Sequence, residues 1–77
     1  MNIILVGGMN HGRKMVVHDC RSLRIPVPGL PDWREEEYLA TAAVDGDGTR
    51  LFATRDIVEK YRHRPHGLWT ALRYPGA

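Results

Sequence analysis

Cysteine and long apolar runs are scarce in this chain. Its 77 residues include a single cysteine, Cys20, so no disulfide forms within the chain and a small secreted disulfide scaffold is excluded. A reducing compartment, the bacterial cytoplasm by default, is expected. Near the start, strongly apolar residues run together only over residues 3–6, with no basic region before them. We therefore expect neither a signal peptide nor a membrane-spanning segment.

The charge excess is small as well. The formal net charge is +2, which permits a nucleic-acid partner without indicating one. The distribution is more informative, because five basic and only two acidic residues follow Thr54, whereas residues 35–37 are an acidic run. We expect a molecule with two electrically different sides.

Short β-branched or alternating apolar segments make up much of the chain. They lie at residues 2–6, 15–17, 23–27, 38–44 and 49–54. This composition and length predict strands rather than amphipathic helices. Pro26 and Pro28 place the third strand at an edge of the sheet, since proline cannot donate a ladder hydrogen bond.

Residues 33–44 fit two patterns. As a helix they would have Asp32 as N-cap and Glu35 in the capping-box position. As a strand from Tyr38 they alternate in the way that a half-buried strand does. The Asp-Gly pairs and the apolar segment that follow predict a hairpin turn and a return strand. We therefore favour at most one turn of helix near Trp33, and then a strand.

One short helix is predicted near the carboxy terminus. Asp56 is placed to cap residues 57–63, and Pro65 ends that helix. Residues 66–74 fit a strand and a helix equally well, and both interpretations stay open. The predicted fold class is α+β, mainly β, with a small antiparallel sheet of four or five strands and one short helix in a single domain over residues 1–77.

The glycine-rich segment after the first strand resembles a phosphate-binding loop. Gly7 and Gly12 have the right separation, but Arg13 takes the lysine position and Met15 stands where a hydroxyl is expected. Such a loop must open a helix, and no helical period follows. We predict a turn between two strands.

The string that contains Asp45, Asp47, Gly48 and Thr49 resembles the first motif of the haloacid-dehalogenase phosphatases. That resemblance implies Asp45 as nucleophile and Asp47 as general acid. The family needs a much longer Rossmann-like domain, and a calcium loop would need glutamate where Asp56 stands. We predict a turn here too, and no catalytic residue.

Histidine and cysteine side chains raise a zinc hypothesis. His18 and Cys20 share a face of a predicted strand, and His63 lies close to His66 in sequence. These spacings are not those of common zinc fingers or ribbons, although the sequence leaves open whether the four residues meet. We predict no metal, no cofactor and no enzymatic activity.

The carboxy-terminal segment has the composition of an interface. Arginine, tryptophan and tyrosine dominate protein-interface hot spots, and they also stack on nucleobases. The alternative is that Trp69 and Leu72 fill the core while the arginines form a solvated rim. The residues predicted to contact a partner are Tyr61, Arg62, Arg64, Trp69, Arg73 and Tyr74.

The amino-terminal pattern resembles the opening of many small bacteriophage proteins, in which an apolar strand, Gly-Gly, a short turn and a basic residue precede a second strand. The matching residues are Gly7, Gly8, Gly12, Arg13, Tyr38, Asp47 and Gly48. Met9 stands where proline is usual, and His11 where aspartate is. The group has no known catalytic residues to transfer, and the resemblance implies a phage or prophage origin.

These observations favour a non-enzymatic protein-binding module. We expect a phage accessory or inhibitor protein that binds and blocks a host protein with an acidic surface, such as a defence protein, in the bacterial cytoplasm. A virion structural or accessory protein and a small nucleic-acid-binding protein are the alternatives. No membrane partner is expected, and self-association stays open.

Overall fold

Five strands precede two short helices in the computed structural model, which describes residues 1–29 and 34–74. The strands are β1 (Asn2–Val6), β2 (Lys14–Val16), β3 (Ser22–Pro26), β4 (Glu35–Val44) and β5 (Arg50–Ala53), and the helices are α1 (Arg55–Lys60) and α2 (His66–Arg73). The predicted class, α+β and mainly β, is confirmed. The predicted turn of helix near Trp33 lies outside the described residues.

The strands form one sheet in the order β2-β1-β5-β4-β3. The pairs β1–β2, β3–β4 and β4–β5 are antiparallel, as predicted, but β1 and β5 pair in parallel with Ile4 opposite Leu51. Strands in parallel pairs are normally covered on both faces, and Leu5 and Leu51 are fully buried. The sequence patterns predict only hairpins, because nothing local marks a pairing between two segments so far apart in the chain.

Apolar side chains are buried on both faces of this sheet. One face carries a cluster contributed by strands alone, with Met15 of β2 packed against it: Ile3, Leu5, Ile25, Tyr38 and Phe52. The other face packs against α2 through a second cluster: Val6, Leu51, Ala53, Leu68 and Ala71. Alternate residues of β1 and β5 belong to different clusters, as the period of a strand requires. The helices therefore cover one face, and the strands enclose the other.

The glycine-rich segment is a hairpin turn, as predicted. It joins β1 to β2, and Gly7 has a φ of +88° that favours glycine. The Gly7 N–H donates to Nδ1 of His11 over 2.7 Å, and the Met9 N–H donates to the Glu36 carboxylate over 2.9 Å. These N–H groups are committed to the fold, so they are not available to cradle a phosphate.

The start of α1 differs from the prediction that Asp56 caps it. Thr54 is the N-cap residue, with extended backbone and no side-chain cap hydrogen bond, and Asp56 lies inside the first turn. The Thr54 N–H is still bonded to the Val6 carbonyl, while its own carbonyl already accepts from Val58. The helix therefore begins directly where β5 ends, and Asp56 acts only through its favourable charge near the positive end of the helix dipole.

Residues 66–73, which fit both a strand and a helix, form α2. Its buried residues are Leu68 and Ala71, with half-buried Trp69 and Leu72 beside them. This spacing gives one apolar stripe at helical period, which packs on the sheet. Pro65 is the N-cap residue of α2, so it separates the two helices.

Candidate functional site

An open groove of about 450 Å³ lies between the second half of β4 and the two helices. Residues 40–44 form one wall, and Val58, Tyr61, Pro65 and Trp69 form the other. Leu68 closes the groove between them, and Arg62 and His66 stand at its rim. The result is an apolar channel with a polar border that includes an arginine and a histidine.

The wall formed by β4 is irregular. Its register on β5 passes from Ala40 opposite Phe52 to Val44 opposite Arg50, so β4 has extra residues in between. The Thr41 hydroxyl donates to the Leu51 carbonyl over 2.7 Å, and the Arg50 guanidinium donates to the Thr41 carbonyl over 2.7 Å. These side-chain bonds satisfy backbone groups that the bulge takes out of the ladder.

The wall formed by the helices is fixed by close packing. The Tyr61 ring lies so near Gly67 that a Cβ on Gly67 would overlap it. The Lys60 ammonium lies 5.4 Å from the centroid of the same ring. Trp69 is half-buried and packs against the second cluster. Both aromatic side chains therefore have a fixed position and still offer a surface to the groove.

The charge at the rim is basic. The Arg62 guanidinium lies 2.7 Å from the Glu59 carboxylate, with the two side chains 60% and 52% exposed. An ion pair this exposed contributes little and exchanges easily for another. Among the described residues that line the groove none is acidic, and His66 adds a second basic group. The border thus has an arginine, already paired with Glu59, and a histidine.

The structure divides the six predicted contact residues into two groups. Tyr61, Arg62 and Trp69 meet at the groove, and Arg64 is exposed nearby, on a second cavity that it shares with Tyr61 and Gly67. Arg73 and Tyr74 are exposed at the far end of α2 and do not line the groove. Trp69 is half-buried and packs against the second cluster, while its contact with a partner stays a prediction.

The wall of β4 was not among the predicted contact residues. In the sequence, the small residues at positions 40–43 bear on secondary structure alone and do not indicate a contact surface. Small side chains in an exposed strand leave room for another chain to approach its backbone. That signal becomes interpretable only once the helices are placed opposite it.

The aspartate turn between β4 and β5 is held by its own carboxylates. Asp45 Oδ1 accepts from the N–H groups of Asp47 and Thr49, each over 3.0 Å. A hydrogen bond with the Asp45 carboxyl, and then bonds from Thr49, lower the pKa of Asp47 to about 2. A general acid needs a raised pKa, so this geometry favours the predicted turn over the phosphatase motif that the string resembles.

The residues of the zinc hypothesis are not brought together. Within residues 1–29 and 34–74, no group of three or more histidine, cysteine, aspartate or glutamate side chains is arranged to hold a metal ion. His18, His63 and His66 are exposed, and Cys20 packs against the strand cluster.

No helix in the described part of the chain is long and apolar enough to span a membrane. Neither a family model, nor a curated protein, nor a solved structure matches the chain. The candidate site therefore rests on the groove itself, with its aromatic wall, its strand wall and its basic border.

Proposed function

We propose that this protein is a non-enzymatic protein-binding module whose groove binds an acidic partner. One observation carries the proposal, which is that Tyr61, Arg62 and Trp69 converge on one groove that has no acidic side chain among its described lining residues. Aromatic anchors beside an arginine are the usual composition of an interface hot spot. Burying them against a partner would remove apolar surface from water and leave the arginine facing a carboxylate.

The proposed mode of action is steric occlusion of a host protein in the bacterial cytoplasm by a phage-encoded accessory protein. Blocking of this kind needs a complementary surface and no chemistry, which suits a small rigid domain. The resemblance of the first two strands and their turn to small bacteriophage proteins supports the phage origin. A bacterial defence protein is one candidate target.

The test is affinity capture from bacterial lysate with the tagged wild type, two groove variants and one control variant. The first groove variant is Arg62→Glu, which alters an exposed side chain and preserves the core. The second groove variant adds Trp69→Ala, and circular dichroism first checks that this double variant is folded. The matched control is Arg73→Glu with Tyr74→Ala, which makes the same kind of change away from the groove. We expect the wild type and the control to retain one stoichiometric protein, and the groove variant to lose it.

Two results would contradict the proposal. If the control loses the captured protein as fully as the groove variant does, the groove is not the contact surface. If nuclease treatment removes the captured material, and binding falls steeply with added salt, the protein binds nucleic acid through its basic residues. Recovery of the chain as a fixed component of purified virions, with no captured host protein, would favour the structural role.

A further inference from the structure

The second half of β4 extends past its neighbour in the sheet. The register of β3 on β4 ends with Ser22 opposite Leu39, and the last bond is from the Ala40 N–H to the Arg21 carbonyl over 2.8 Å. In the described chain, no β3 residue lies opposite residues 41–44. This length of β4 therefore has an outer edge without a neighbouring strand.

Hydrogen bonds along β4 show which of its backbone groups are already used and which point to that edge. The Ala43 N–H donates to the Thr41 hydroxyl over 3.1 Å, and the Thr41 carbonyl accepts from Arg50. Ala42 lies between Thr41 and Ala43, and Val44 follows Ala43. Both Ala42 and Val44 are exposed. The Ala40 N–H points to the β3 side of β4, whereas the Asp45 N–H points to the β5 side and donates to the Thr49 carbonyl over 2.9 Å. Since these directions alternate along a strand, the backbone groups of Ala42 and Val44 point to the outer edge, where an added strand would pair with them.

The groove follows this edge. Residues 40–44 all line it, although successive side chains of a strand point to opposite faces. Because the side chains at residues 40–43 are small, a chain lying in the groove can come close to the β4 backbone. Its opposite wall is Tyr61 and Trp69, so a chain lying in it would meet backbone on one side and aromatic rings on the other.

The other two edges of the sheet are less suited to accept a strand. The outer edge of β3 ends in Pro26, which lacks an N–H. The outer edge of β2 has only three residues and begins with the exposed Lys14. Short edges, proline and lysine are features that prevent pairing. Residues 41–44 of β4 include neither proline nor lysine.

We infer that the groove takes an extended, acidic segment of the partner protein, which adds to the sheet as a strand along residues 41–44. Its backbone pairs with Ala42 and Val44, its apolar side chains pack on Tyr61 and Trp69, and its carboxylates face Arg62. The absence of acidic side chains from the described lining argues for an acidic segment rather than a basic one. This inference rests on the proposed function and specifies the chemistry of the partner.

The test begins with selection from a displayed library of short random peptides. The full-length protein is the bait, and binders to the Arg62→Glu variant are removed. We expect enriched peptides to alternate β-branched residues with aspartate or glutamate. Such a peptide is then synthesised and titrated into isotope-labelled protein. It should slow hydrogen exchange at the Ala42 and Val44 amides. Proline at the peptide positions that face β4 should weaken binding by about five- to tenfold, because each removes a backbone hydrogen bond.

The outcomes separate this inference from the proposed function. Peptides that tolerate proline at every position, or that protect only helix amides, overturn strand addition. Strand addition is also overturned if no peptide is enriched while the wild type still captures a host protein that the Arg62→Glu variant loses. In that case the partner binds through a folded surface, and the proposed function stands. If neither peptides nor a host protein bind, both proposals fail.

Discussion

Gly8 occupies the most restricted position in the turn between β1 and β2. Its φ is +68°, and a Cβ there would overlap the Glu36 carboxylate and lie 2.7 Å from the Tyr38 hydroxyl. Those two groups are hydrogen-bonded to each other over 3.0 Å, and the Tyr38 hydroxyl also lies within donating distance, 2.8 Å, of the Gly7 carbonyl. The glycine thus lets the turn lie directly on a polar cluster at the end of the sheet.

Replacing Gly8 by alanine should lower the free energy of unfolding by about 3–4 kcal/mol, since a strained backbone and a displaced hydrogen-bonded cluster each cost about 1–3 kcal/mol. Gly12→Ala is the control, because Gly12 has a φ of +83° and no atom within 4 Å of an added Cβ. It should lose only about 1–2 kcal/mol from backbone strain. Urea unfolding measures both. Equal losses would show that contact with Glu36 and Tyr38 contributes nothing.

His11 connects two elements that are distant in sequence. Its Nδ1 accepts from the Gly7 N–H, and its Nε2 lies 2.7 Å from the Leu72 carbonyl near the end of α2. Because a neutral imidazole has one donor and one acceptor, Nε2 carries the proton and donates to that carbonyl. The ring therefore fixes the end of the helix against the glycine-rich turn.

We predict that His11→Ala destabilises the fold by about 1–2 kcal/mol, because two hydrogen bonds of about 1 kcal/mol each are lost. Amide exchange in the last turn of α2 should accelerate more than exchange in α1. The exposed His18 and His63 provide controls, since alanine at either should leave stability within about 0.5 kcal/mol. Uniform acceleration across both helices would argue against a local connection.

The contact between Gly67 and Tyr61 sets how α1 and α2 meet. Alanine normally stabilises a helix by about 0.5–1 kcal/mol relative to glycine, but here its Cβ would overlap the Tyr61 ring. Gly67→Ala should therefore destabilise the wild type and stabilise a Tyr61→Ala background. Thermal unfolding of the four proteins in this cycle gives the sign of each change. The same sign in both backgrounds would mean that the ring moves away freely.

At the scale of the whole molecule, Tyr38 links stability to pH. It is fully buried, and burial, followed by its hydrogen bond and repulsion with Glu36, raises its pKa from 10.0 to about 12. Folding thus favours the protonated phenol. The stability that this preference contributes is fully present below pH 10 and is lost as the pH rises towards 12.

The free energy of unfolding of the wild type should fall between pH 10 and 12. Its fall should exceed that of Tyr38→Phe by up to about 3 kcal/mol, because each pKa unit corresponds to about 1.4 kcal/mol. The phenylalanine variant lacks the titrating group and shares every other one. Urea unfolding at a series of alkaline pH values measures the difference. Parallel curves for the two proteins would show that Tyr38 does not titrate in this range.

Most of the strands and turns follow from short stretches of neighbouring residues. The apolar run of β1, the alternation of β3 and the glycine and aspartate turns are signals carried by neighbouring residues, and they predict strands and hairpins without knowledge of the rest. Residue type also singles out Tyr61, Arg62 and Trp69, which line one groove in the structure; their contact with a partner stays a prediction.

The tertiary structure decided what depends on contacts between distant segments. The parallel pairing of β1 with β5, the helical state of residues 66–73 and the groove wall at residues 40–44 are of this kind. A short segment with an ambiguous period takes the conformation that buries its apolar side, and α2 buries Leu68 and Ala71 only as a helix on the sheet. The groove exists because two walls more than a dozen residues apart in sequence face each other, and no local pattern encodes that distance.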